Sequence, residues 1–158
     1  MKYLQPILIL SLIFIITSCS SDSDNAGIID DTSNSSSYEK DILELINNHR
    51  NSKGLPYLKV LNIIKTQTDN HTDYMIADGK ISHDNFSSRS NYLQTNAQAK
   101  ATAENVASGY SSASSVVNGW LNSDGHRKNI EGNYTHFHLT AKQSSNNKWY
   151  YTNIFIRK

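Results

Sequence analysis

Cysteine is nearly absent: the 158 residues hold one, Cys19. A single thiol excludes an internal disulfide framework, a multi-cysteine zinc centre and a CxxC redox pair. Neither sign of charge is in excess, with 15 Lys and Arg against 14 Asp and Glu, a formal net charge of +1. Loss of a leader carrying Lys2 would bring that near zero. Without a basic surplus to neutralise a phosphate backbone, the composition argues against nucleic acid as a partner. HExxH, GxSxG, P-loop and GxGxxG signatures are all missing, which removes the commonest self-identifying catalytic motifs. No apolar run reaches the ~20 residues needed to span a bilayer; Ile7–Ile16, broken only by Ser11, is half that.

What is present begins with that short run. After Met1-Lys2 it has the make-up of a secretory h-region. It leads into Ile16-Thr17-Ser18-Cys19, an aliphatic residue, two small ones and a cysteine, which resembles a bacterial lipobox. That resemblance implies cleavage before Cys19, leaving residues 1–18 as a lipoprotein signal peptide. Cys19 would then be lipidated and anchored in a lipid bilayer, each buried CH₂ adding about 0.8 kcal/mol of membrane affinity. A general signal peptide cut nearby would instead leave Cys19 a free thiol; the agreement of all four positions favours the anchor. Residues 19–37 continue as a tether. The stretch SSDSDNAGIIDDTSNSSS has no aromatic residue, Lys or Arg, and cannot bury enough apolar surface to offset its ordering entropy. Its r.m.s. reach is about 23 Å. Asp22 and Asp24 resemble surface-export signals of some Gram-negative lineages. The expected location is the cell envelope, extracytoplasmic, at the outer membrane or cell surface.

Residues 38–158 suffice for one modest core. Ser36 with Glu39 forms a capping box, opening a helix through Ile42, Leu43, Leu45 and Ile46 that ends near Gly54. A second helix is predicted from Leu61 to Asp78, its stripe Ile64, Thr68, His71 and Met75 unusually polar for a core face, with Gly79 as terminator. Ala113, Val116, Val117, Trp120 and Leu121 form the clean apolar face of a third, capped by a serine at 111–112 and closed by Gly125. Phe137, Leu139 and Ala141 then alternate, Ser144–Asn147 supplies a turn, and Trp149–Ile156 is rich in aromatic and β-branched residues: a β-hairpin. Helices first and strands last indicate an α+β fold, helices against a small antiparallel sheet.

Three polar constellations could carry chemistry: Ser82-His83, Glu104-Asn105, and Ser123-Asp124-Gly125-His126-Arg127. Singly each has an ordinary reading. His83 suits a surface turn, Glu104 a helix start, and His126 a helix C-terminus. In order along the chain they form a pattern: Asn47-x-x-Arg50, Gly54-Leu55-Pro56, His71-x-x-x-Met75, Ser82-His83, then Ala103-Glu104-Asn105-Val106-Ala107-x-Gly109. It continues with Val116-Val117-x-x-Trp120-x-x-Ser123-x-Gly125-His126-Arg127-x-Asn129-Ile130 and closes with Tyr150-Tyr151-Thr152-Asn153-x-Phe155. This series, covering Leu43 to Phe155, resembles the CAP superfamily, the SCP-like extracellular domain shared with cysteine-rich secretory and pathogenesis-related proteins.

The resemblance implies a CAP-type α-β-α sandwich and a central groove in which two His and two Glu bind divalent metal in some members. Here those positions fall on His83, Glu104 and His126, while the second Glu is replaced by Ser123. Asn47, Arg50, Asn105 and Trp120 are the implied structural residues. His83, His126 and Glu104 offer at most three ligands, so a zinc-like divalent metal would keep an open position; alternatively Glu104 orients the histidines without ligating. His138 stands where relatives usually carry Gly and adds bulk, or a further ligand. Two functions compete. One is an anchored module binding an extracellular lipid, glycan or peptide. The other is a hydrolase, through metal-activated water with Glu104 as base or through a Ser123–His–Glu104 triad with His83 or His126 as base.

Overall fold

A computed structural model describes residues 36–158. The expected signal peptide, Cys19 and the tether up to residue 35 lie outside the described residues. Helix α1 spans Ser37–Ser52, so the folded part begins slightly before residue 38. Its Ser36 capping box is complete: Ser36 Oγ accepts from Glu39 N, and Glu39 Oε2 accepts from Ser36 N. Strand β1, Lys59–Val60, leads into α2, Asn62–Asp78. Gly79 ends α2 at φ 73°, a left-handed conformation that glycine adopts without steric cost. There follow α3 (Phe86–Ala97), β2 (Ala101–Ser108), α4 (Ala113–Leu121), α5 (Asp124–Ile130), β3 (His136–Gln143) and β4 (Trp149–Arg157).

The sheet order is β1-β3-β4-β2. Strand β4 pairs antiparallel with both β3 and β2, whereas β1 runs parallel to β3, so the sheet is mixed rather than wholly antiparallel. Side chains alternate across it. Ala103, Ala107, Phe137, Leu139, Tyr151 and Phe155 share one core with Ile42, Leu43, Ile46, Val116, Val117 and Trp120 of α1 and α4. On the opposite face, Ile154 and Ile156 pack with Ile64 of α2 and Leu93 of α3. Helices thus cover both faces, the α-β-α sandwich expected.

Three expectations are corrected. Gly125 does not close the helix of Val116 and Trp120; α4 ends at Leu121 with Asn122 as its C-cap, and Gly125 lies inside α5. His126 is therefore in the first turn of a short new helix rather than at a C-terminus. Glu104 sits mid-strand in β2, not at a helix start.

Candidate functional site

Glu104 points from β2 toward α2 and α3 and is buried. Its carboxylate is fully engaged. Arg89 of α3 donates to both oxygens, Nε to Oε2 and Nη2 to Oε1, each at 2.8 Å. His83 Nδ1 lies 2.9 Å from Oε1, and His71 Nε2 lies 3.8 Å from the same atom. A buried carboxylate requires such neutralisation, and the bidentate guanidinium supplies it in its strongest geometry. The His83 side chain is 54% exposed while that of Glu104 is 1% exposed. The histidine is thus fastened by one ring nitrogen and turns the rest of its imidazole outward.

The loop bearing His83 is fixed by neighbours whose residue types were otherwise unexplained. His71 Nε2 lies 2.8 Å from the carbonyl of Ser82, Tyr74 donates its hydroxyl to Asp84 Oδ2 at 2.9 Å, and Arg89 Nη1 donates to the Asp84 carbonyl at 2.7 Å. Tyr74 also stacks on the His71 ring. Burial, chiefly, pushes the His71 pKa below its ordinary value, so this imidazole is neutral and Nε2–H donates to Ser82. Arg89 is the site residue that sequence reasoning missed. It lies on a helix with no apolar stripe, and only its fold position brings it to Glu104.

Helix α5 is tied to β2 by two asparagines. Asn105 Nδ2 donates to the His126 carbonyl at 3.1 Å, and Asn129 Nδ2 donates to Asn105 Oδ1 at 2.8 Å. This fixes His126 beside a depression of about 250 Å³ whose walls include Ile81, Val106, Tyr110, Trp120 and Ser123. Gly119 makes the wall possible: a Cβ there would overlap the Tyr110 ring. Burial and then the charge of nearby His83 lower the His126 pKa. Ser123 is the N-cap of α5, yet its side chain makes no capping bond. Among the described residues no hydrogen bond joins it to either histidine.

The remaining predicted residues hold the scaffold. Asn47 brackets Leu58, donating to its carbonyl at 3.0 Å and accepting from its N–H at 2.8 Å. Arg50 is fully buried and donates to the carbonyls of Pro56, Ile130 and Gly132. Trp120 lies in the core with Nε1 donating to the Val106 carbonyl at 3.2 Å. His138 of β3 is buried, its Nδ1 accepting from Leu139 N.

The donor set does not fit a three-ligand metal centre. Both Glu104 oxygens are committed to Arg89 and His83, and a divalent ion at that carboxylate would sit against a guanidinium. Among the described residues no three His, Cys, Asp or Glu side chains are grouped to hold a metal ion.

Comparison with known proteins agrees with this architecture. The family model described as CAP, the cysteine-rich secretory protein family, matches residues 43–155. The uncharacterized protein YkwD of Bacillus subtilis (strain 168) is 30% identical over 127 residues, spanning 78% of this chain. The chain covers 48% of that curated relative, about half its length. Among solved structures, an extracellular protein containing a SCP domain from Bacillus anthracis str. Ames is 28% identical with a TM-score of 0.66, over 77% of this chain and 40% of that one. Two others share the fold. An outer surface protein from Borrelia burgdorferi has a TM-score of 0.68 at 20% identity, over 75% and 91% of the two chains. A cysteine-rich secretory protein from Staphylococcus aureus subsp. aureus Mu50 has a TM-score of 0.65 at 24% identity, over 77% and 38%.

Proposed function

Because the chain belongs to the cysteine-rich secretory protein (CAP) family, we propose that it works outside the cytoplasm as a ligand-binding module, held to the cell envelope through a lipidated Cys19. The supporting observation is the buried Glu104–Arg89 pair. It engages both oxygens of the carboxylate that metal binding would need, while holding His83 with its outer face presented to solvent. Beside it, His126 and Ser123 line a depression with Val106, Trp120 and the half-exposed Ile81. Polar groups above an apolar wall suit a glycan or peptide-like ligand with hydroxyl or amide groups and an apolar edge. The names of two similar proteins, an outer surface protein and an extracellular one, support the location. No helix among the described residues is long and apolar enough to cross a membrane; the proposed anchor is the lipid on Cys19.

The full-length protein is expected to bind N-acetylglucosamine oligomers saturably, with a concentration-dependent rise in Tm that His83→Ala and His126→Ala abolish. Elemental analysis is expected to find no stoichiometric zinc. Near-stoichiometric metal lost in His83→Ala would overturn the binding-module reading in favour of a metal-dependent hydrolase. One observation favours a second reading, a Ser123-based hydrolase: the Ser123 hydroxyl makes no capping bond and shares the depression with His126. A fluorophosphonate adduct on Ser123 would establish it. Mass analysis showing an unmodified Cys19 in protein recovered from membranes would remove the anchor.

A further inference from the structure

A second cavity shares no residue with the groove of His83 and His126. Lys59 of β1 pairs in register with His136 of β3, and His136 with Ile156 of β4. At this end of the sheet a hollow of about 440 Å³ is lined by Tyr57, Lys59, Tyr134, Thr135, His136 and Lys158, among others. That volume lies within the usual range of small-molecule sites. Tyr38, near the first described residue, packs instead on Trp149, roughly 26 Å back along β4 at about 3.3 Å per residue. The hollow therefore lies at the end of β4 away from Tyr38.

Its chemistry is cationic over an aromatic floor. No acidic side chain lines it, and among the described residues neither Lys59 nor Lys158 has an ion-pair partner. Lys59, Lys158 and His136 line the hollow together, and after burial the charges of the two lysines lower the His136 pKa. Arg157 acts on the Tyr134 phenol in the same way, opposing the upward push of burial. Thr135 Oγ1 lies 2.8 Å from His136 Nδ1 and 3.4 Å from the Ile156 carbonyl. Tyr134 is braced against Phe155 with ring centroids 5.8 Å apart, and Tyr57 is 36% exposed. Two lysines left without counter-ions beside a built aromatic wall are complementary to an anion that carries an apolar body.

We propose that this cavity binds a small organic anion, a carboxylate or phosphate on an aromatic or short aliphatic body. Lys59 and Lys158 hold the charge, and Tyr57 and Tyr134 hold the body.

The test is an NMR titration of the full-length chain in detergent micelles, following the amides of Thr135, His136 and Lys158. The probes are phenyl phosphate, benzoate, inorganic phosphate and benzyl alcohol. Phenyl phosphate or benzoate is expected to shift these amides saturably, and the stronger of the two identifies the preferred anion. In Lys59→Gln/Lys158→Gln the Kd is expected to rise at least ten-fold, with the thermal midpoint unchanged because both residues are exposed. Inorganic phosphate and benzyl alcohol are expected to bind far more weakly. The proposal is overturned if neither organic anion saturates, if the double variant binds as the wild type does, or if benzyl alcohol binds as tightly as the anions. Inorganic phosphate matching phenyl phosphate would remove the role given to the tyrosines.

Discussion

Against one face of the sheet, α1 and α4 lay Ile42, Leu43, Ile46, Val116, Val117 and Trp120 onto Phe137, Leu139, Tyr151 and Phe155. Against the other, α2 lays two threonine hydroxyls and the His71 imidazole between Ile64 and Met75. Thr68 meets Thr140 at 2.8 Å, Thr72 meets Thr152 at 2.8 Å, and His71 approaches Glu104. Buried Glu39 reaches across from α1 to accept from Ala141 N and from Lys65. The first face gains stability from area removed from water. The second gains little net energy per hydrogen bond, but its groups are costly to leave unmatched. It therefore fixes where α2 and the His83 loop sit more than it adds to stability. The candidate site grows out of this second face.

The largest effect that tests the contrast is expected on the dry face. Trp120→Ala should cost about 3–5 kcal/mol through lost burial and a cavity, read as a drop in the denaturant midpoint at unchanged slope. Glu104→Gln should rival it on the polar face, at about 3–5 kcal/mol, because it leaves the Arg89 guanidinium buried without its partner. Replacing both, as Arg89→Met with Glu104→Leu, should cost less than the sum of the single changes. A strictly additive cycle would show that the two do not act as a unit. Thr72→Val should cost about 1 kcal/mol, whereas Thr72→Val with Thr152→Val should be close to neutral. If the double change costs as much as a core truncation, the distinction between the two faces fails.

The smallest effect expected is on pH dependence. Burial is the leading cause that holds the pKa values of His71, His126, His136 and His138 below their ordinary value. The unfolded chain thus binds protons on these residues more readily than the folded one. Their contribution is complete above about pH 6.5, the unfolded value, and is lost as pH falls from there through the lower folded values. Tm measured from pH 8 to pH 5 should be level at first and then decline. A Tm rising on acidification would contradict the neutral, buried imidazoles.

The same contrast explains what can be read from sequence. The dry-face helices announce themselves: α1 and α4 carry apolar residues at helical spacing behind complete serine capping boxes. The polar stripe of α2 is legible as a helix but puzzling as a core face, because its partners, Thr140 and Thr152, are 70 to 80 residues away along the chain. Helix α3 escapes such a reading because only Arg89, Leu93 and Ala97 of its twelve residues are buried, too few for a stripe. Strand β2 escapes it because Ala103 to Ala107 are buried in succession, covered on both faces, so no polar-apolar alternation exists to be read. Site residues His83, Glu104 and His126 emerge from motif order. Arg89, which decides what Glu104 can do, has no local signal at all.

The position of β4 has a consequence for how the chain comes to be folded. It is the last strand in sequence but lies inside the sheet, with β3 on one side and β2 on the other. Until residues 149–157 have been synthesised, β2 has no strand to pair with and β3 has only the two residues of β1. The earlier helices then have no finished surface on which to bury their stripes, and short amphipathic helices are marginal alone. Contacts of such long sequence separation also form slowly. A nascent chain of this topology cannot close its sheet until residues 149–157 are free to pair with both neighbours.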